Sequence, residues 1–166
     1  GDAGITLDAG SSLDLVGSGN AVAANNGDQI TATDNTIDAN NASLTLTDSG
    51  VADIVDGTKL SITSNSSALT LDGTGITLYG TKDTDELGDG SSVTETASGN
   101  TLDMDAGSTL DDTSGNGGDT INADTGSTIQ ISNDGGSSYL DTINANGDAG
   151  ITLDAGSSLD LVGSGN

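Results

Sequence analysis

The chain has 166 residues, with 26 Asp or Glu against two Lys for a formal net charge of −24, and it contains no Arg, His, Cys, Pro, Phe or Trp. No basic patch is available to grip phosphates, so nucleic acid and anionic membrane surfaces are repelled and cations remain as the electrostatic partners. The usual general base and thiol nucleophile are missing, and no apolar run approaches the ~20 residues of a membrane helix, so neither enzyme activity nor membrane insertion is expected.

Low hydrophobicity with high net charge is also the composition of disorder. The placement of the apolar residues argues otherwise. They fall in alternating pairs along the chain: Ile5-x-Leu7, Leu13-x-Leu15, Leu44-x-Leu46, Leu60-x-Ile62, Leu69-x-Leu71, Ile76-x-Leu78, Leu102-x-Met104, Ile129-x-Ile131, Ile151-x-Leu153 and Leu159-x-Leu161. Successive strand residues point to opposite faces, so each pair predicts a short strand with one inward side. Gly, Asn, Asp and Ser clusters between them supply turns. No stretch keeps a helical period, and almost no helix is predicted.

Residues 1–20 recur letter for letter at 147–166, an offset of 146. This marks a tandem array in which 1–146 is one full unit and 147–166 starts the next, continuous with the same structure. Gly1 in place of Met fits a processed product or a window of a longer polypeptide. A finer period lies inside the unit. NTIDANNASLTL (35–46), NTLDMDAGSTL (100–110), DTINADTGSTIQI (119–131) and DTINANGDAGITL (141–153) share an anchor and a second strand about eight residues on. The successive intervals between anchors Ile37, Leu102, Ile121 and Ile143, and from Ile143 on to the next unit's copy of Ile37, fit three, one, one and two steps of about 20 residues, or about seven coils per unit, which is a solenoid length.

The predicted fold is therefore all-β, a parallel β-solenoid whose strands pair with coils above and below, with three faces per coil and the repeated text at one rotational setting in every unit. Pro, which would remove a ladder hydrogen bond, is absent. An antiparallel sandwich or β-roll fits the pattern less well, because sandwich modules bury aromatics and only Tyr79 and Tyr139 exist here.

Calcium is the candidate cofactor, though none is required. Segment 83–90 holds the densest acidic cluster, in which Asp83, Asp85, Glu86 and Asp89 offer the alternating oxygens a hard cation prefers. Its other reading is a solvated corner insertion. Segment 115–121 fits G-x-G-x-D-x-U, the tail of a calcium-binding nonapeptide, and adds Asp119; a Gly-rich corner explains it as well. Asp103 with Asp105, and Asp111 with Asp112, are expected at solvated outward positions. Thr-x-Thr pairs at Thr31, Thr45 and Thr94 lack the spacing of a flat ice-binding array. The sequons at Asn41 and Asn65 matter only in a glycosylating route.

The TIxA…STLxL…GxGN coil text, together with the duplicated long unit, resembles the repeat regions of bacterial secreted surface proteins, the filamentous-haemagglutinin-like and related β-solenoid adhesins. The resemblance implies an extracellular or cell-surface shaft that stacks on itself into filaments, with any receptor-binding tip elsewhere. The function expected is a rigid acidic structural fibre or adhesin shaft. The alternative is a calcium-responsive, β-roll-like binding or adhesion module of a large secreted protein.

Residues 1–146 carry 23 acidic and two basic side chains, a net −21. Spread over seven coils at ~4.8 Å each, this is about one charge per 1.6 Å, close to duplex DNA at ~1.7 Å. Self-repulsion should weaken the fold at low ionic strength. Thermal unfolding followed by circular dichroism should show the midpoint rising with added sodium chloride; a midpoint indifferent to salt would contradict the polyelectrolyte picture.

Overall fold

A computed structural model of the chain describes residues 3–26, 28–32, 35–40, 43–46, 53–64, 68–113, 117–132, 140–147, 149–153 and 159–164. Thr33, Asn41, Thr47, Asn65, Gly115, Asn116 and Tyr139 lie outside these residues. All regular structure described is β-strand. The strands are β1 (Gly4–Thr6), β2 (Ser12–Asp14), β3 (Ala21–Ala24), β4 (Gln29–Ala32), β5 (Thr36–Asn40) and β6 (Ser43–Leu46). They continue as β7 (Asp53–Thr58), β8 (Ser61–Ser64), β9 (Ala68–Leu78), β10 (Thr84–Leu87), β11 (Ser92–Glu95) and β12 (Thr101–Met104). The last six are β13 (Thr109–Asp112), β14 (Thr120–Ala123), β15 (Thr128–Ile131), β16 (Asp141–Asn146), β17 (Gly150–Leu153) and β18 (Leu159–Ser164).

Every pairing among the described strands is parallel, and each strand bonds to the strand one coil away in sequence. One face stacks β1, β3, β5, β7, the first part of β9, then β10, β12, β14, β16 and β18. The other stacks β2, β4, β6, β8, the second part of β9, then β11, β13, β15 and β17. The chain is the all-β parallel solenoid that its alternation predicts. Among the described residues its coils show two faces, however, and not the three expected. Steps from coil to coil are unequal, from the short step of Ile30 to Leu44 to the long one of Ile121 to Ile143. Strands of four residues, with four residues between β12 and β13 and seven between β13 and β14, use up a coil without room for a third face.

The short corner repeats a turn written Asp-x-Gly-Ser. In 105–108 and 124–127 the Ser N–H donates to the Asp carbonyl at 3.2 and 3.1 Å, and the Ser hydroxyl donates to the same carbonyl at 2.7 Å. Gly107 and Gly126 take φ of 73° and 83°, left-handed backbone that favours Gly at this point of a turn.

Between the faces runs a thin aliphatic core. On the first face one inward ladder is Leu69, Asp85, Leu102, Ile121 and Ile143, and its neighbour includes Leu71, Leu87, Met104, Ala123 and Ala145. On the second face Leu44, Ile62, Leu78, Glu95, Asp112 and Ile131 form one ladder. Burying each aliphatic side chain contributes roughly 1.5–3 kcal/mol, and three acids interrupt both series.

The repeated text does not keep one rotational setting. Gly4–Thr6 stacks on β3 in the first face, whereas its copy Gly150–Leu153 stacks on β15 in the second. Likewise Ser12–Asp14 lies in the second face, and Leu159–Ser164, which carries the copy of Leu13, lies in the first. The offset between the copies thus contains an odd number of half-turns. Both faces accept the text because both require the same two inward aliphatic positions.

The register is testable by crosslinking, since the chain has no cysteine of its own. Gln130 and Thr152 are exposed partners one coil apart, within disulfide reach. The double variant Gln130→Cys/Thr152→Cys should form an intramolecular disulfide on mild oxidation. Failure to crosslink in the folded protein would mean that 150–153 sits on the other face.

Candidate functional site

The long corner, leading from the second face to the first, is lined by a polar ladder. Asn20, Asn35, Asp83, Asn100, Asp119 and Asp141 all sit at the entry to a first-face strand, and all are buried. The side-chain oxygens of Asn35, Asn100, Asp119 and Asp141 each accept the backbone N–H of the ladder residue one coil earlier, while Asp83 accepts from the Ser64 hydroxyl. Asn20 N–H donates to Asn35 Oδ1 at 2.9 Å, Asp83 N–H to Asn100 Oδ1 at 2.9 Å, Asn100 N–H to Asp119 Oδ1 at 2.7 Å, and Asp119 N–H to Asp141 Oδ1 at 3.0 Å. Strand pairing does not reach these corner amides, so the ladder supplies the acceptors they need. Asn and Asp serve equally well as acceptors. Only Asn also donates: Asn100 Nδ2 bonds the Gly80 carbonyl at 2.9 Å, and it also bonds Glu95 Oε1.

Where the ladder is Asp, negative charge accumulates indoors. Asp83, Asp85, Asp112 and Asp119 are 1 % exposed, and Glu95 and Asp141 are fully sealed. One carboxylate oxygen from each of Glu95, Asp112 and Asp119 lies within 4.8 Å of the other two. Glu95 and Asp112 occupy the inward ladder of β11 and β13, flanked by Leu78 and Ile131 in the same register, while Asp119 comes from the corner. Glu95 Oε2 is buried without a hydrogen-bond partner.

Both Lys59 and Lys82 are exposed, and burial without a countercharge disfavours the ionised carboxyl. Burial, with the charges of Asp119, Asp112 and Asp85 and against the hydrogen bond from Asn100, pushes Glu95 up to about 10. Burial and the charge of Asp83, opposed by the Leu69 backbone amide, push Asp85 up to about 8. At neutral pH, unless a cation intervenes, both carry a proton. The cluster can therefore either share protons or hold a hard cation.

The five candidate ligands read from the sequence are divided by the fold. Segment 83–90 is not an open loop, because Thr84–Leu87 is strand β10. Its alternation turns Asp85 inward and Glu86 outward, and Asp89 is exposed in the following turn. Asp83 and Asp119 enter the corner ladder two coils apart, with Asn100 between them. Of the five, the fold draws Asp83, Asp85 and Asp119 into the interior and leaves Glu86 and Asp89 in solvent. Among the acids expected in solvent, Asp103 is exposed and Asp105 and Asp111 are half-buried, but Asp112 is buried. Position explains it: two residues after inward Leu110, Asp112 must also point in. The same rule, applied after Val93, finds Glu95.

The raised carboxyls make stability depend on pH. A carboxyl with a raised folded value binds its proton more tightly folded than unfolded, so stability is greatest below the ordinary value and falls as pH rises toward the raised one. For Asp85 the window runs from 3.8 to about 8. Each pH unit in that window costs about 1.4 kcal/mol per such group. In chelator-treated buffer, Asp85→Leu, which restores the ladder between Leu69 and Leu102, should flatten the decline and raise stability at pH 8 by about 5 kcal/mol while changing little at pH 4. Denaturant titrations at the two pH values check this, and an equal effect at both would contradict it.

Comparison with known proteins adds no assignment for this arrangement: no family model, no curated protein and no solved structure matches the chain.

Proposed function

We propose that the protein is a structural element outside the cell, a segment of a rigid, acidic β-solenoid fibre or adhesin shaft assembled from tandem units. The observation that carries this reading is the behaviour of the repeated text: β17 and β18 add one more strand to each face in the register of those before them. A unit that begins where its predecessor ends needs no linker, and repetition converts directly into length. The inward positions are mostly aliphatic, and the outward positions are free to carry charge that keeps neighbouring rods apart.

In an array that continues at the same spacing, successive units are related by a half-turn about the rod axis. Any outward feature of one unit then appears on the opposite face in the next, and the rod regains its original setting after two units. Lateral contacts made through one face of a unit would therefore alternate sides along the fibre.

Electron microscopy of chains with one, two and four units tests the reading. Unbranched thin rods should appear, lengthening in proportion to unit number at ~4.8 Å per coil. Beads joined by flexible links, or compact particles of constant width and rising diameter, would overturn it.

A further inference from the structure

We propose that Glu95, Asp112 and Asp119 form an internal binding site for one divalent hard cation, with calcium the best fit. The site is independent of whether the protein serves as a fibre. Three observations carry it.

The first is geometry. Oxygens bound to one calcium lie 2.3–2.6 Å from it, so any two of them are at most about 5 Å apart. The three carboxylate oxygens, all within 4.8 Å of one another, already satisfy that limit. All possible ligands here are oxygens, which suits a hard cation and not a thiophilic metal.

The second is Glu95 Oε2. This oxygen is sealed from solvent and has no hydrogen-bond partner, while Oε1 of the same carboxylate is held by Asn100 Nδ2. The amide fixes the carboxylate plane and leaves the second oxygen without a donor. A buried oxygen left without a donor is costly, and a cation among the three carboxylates would satisfy it.

The third is placement. Glu95 and Asp112 interrupt an aliphatic ladder at consecutive coils, between Leu78 and Ile131, and Asp119 comes from the chain's return to the first face. A bound cation would tie strands β11 and β13 to the entry of β14, joining stacked coils at their long corner. Calcium tolerates variable ligand number and geometry, whereas magnesium demands a near-ideal octahedron and retains its waters, which a sealed interior does not readily admit.

Equilibrium dialysis of the whole chain against calcium, in a large excess of sodium to suppress the diffuse ion atmosphere, should detect one saturable site per chain. Magnesium should compete weakly. Calcium should also raise the thermal midpoint, and chelator should reverse the rise. The variant Glu95→Leu/Asp112→Leu continues the aliphatic ladder and should stay folded, but it should lose both the saturable site and the calcium-dependent shift. Glu86→Gln, which removes an exposed acid, should retain both. The proposal is overturned if the wild type binds no stoichiometric calcium under these conditions, or if the ladder variant binds as the wild type does. Stability that follows pH and ignores calcium would overturn it too, because protons alone would then hold the cluster.

Discussion

Backbone hydrogen bonding along the solenoid axis is the constraint from which the rest follows. On both faces the partner of each strand lies a coil away, so no coil completes its own bonding and stability resides in the stack. This is how a chain with a net charge of −24 and 1 % aromatic residues can hold a fixed fold. The core contributes two aliphatic ladders per face; the sheet contributes continuity. Corner geometry becomes the weak point, because a turn has no strand neighbour to satisfy its amides.

The two corners solve that problem differently, and the difference creates the acidic interior. At the short corner, Asp-x-Gly-Ser turns close on themselves through the Ser hydroxyl and N–H. At the long corner, satisfaction passes from coil to coil through Asn and Asp side chains. A ladder of Asn alone would be neutral and self-consistent, as Asn20 and Asn35 are. Substituting Asp keeps the accepting oxygen but adds a charge with nowhere to go, and the run Asp83, Asn100, Asp119, Asp141 does so three times in four steps. Glu95 and Asp112 then face this ladder from the second sheet. Whether protons or a cation neutralise these buried carboxyls, the surface field is weaker than formal charge suggests.

Much of this was legible in the text. Alternating pairs such as Leu102-x-Met104 and Ile129-x-Ile131 placed strands and inward faces, and the eight-residue interval from Leu102 to Leu110 marked the crossing from one face to the other. What the text concealed were positions where chemistry and pattern disagree. Thr-Asp-Glu-Leu at 84–87 reads as an acidic loop because two carboxylates adjoin, yet Leu87 fixes the alternation and sends Asp85 inward. The Asp-Asp pair at 111–112 reads as solvated for the same reason, and Leu110 decides otherwise. In both cases the stack imposes its periodicity on residues whose own preference is water, since moving one strand by a residue would turn every aliphatic side chain outward. The number of faces was hidden for another reason: spacing alone does not distinguish two short strands with long corners from three strands with tight ones.

The half-turn between copies follows from the same indifference. Nothing in GITLDAGSSLDL distinguishes the two faces, because each requires an inward pair and then a turn, and the polar ladder that marks the long corner is written elsewhere in the unit. The setting of a copy is therefore decided by how many strands precede it, not by its own residues. Inserting or deleting one strand's length between the copies would restore the common setting without altering either copy. The rotational relation of successive units is thus a property of unit length, set by the intervening coils with their unequal steps. The corner that gathers Glu95, Asp112 and Asp119 would accordingly fall on alternate edges of a continuing rod, keeping like charges of neighbouring units apart.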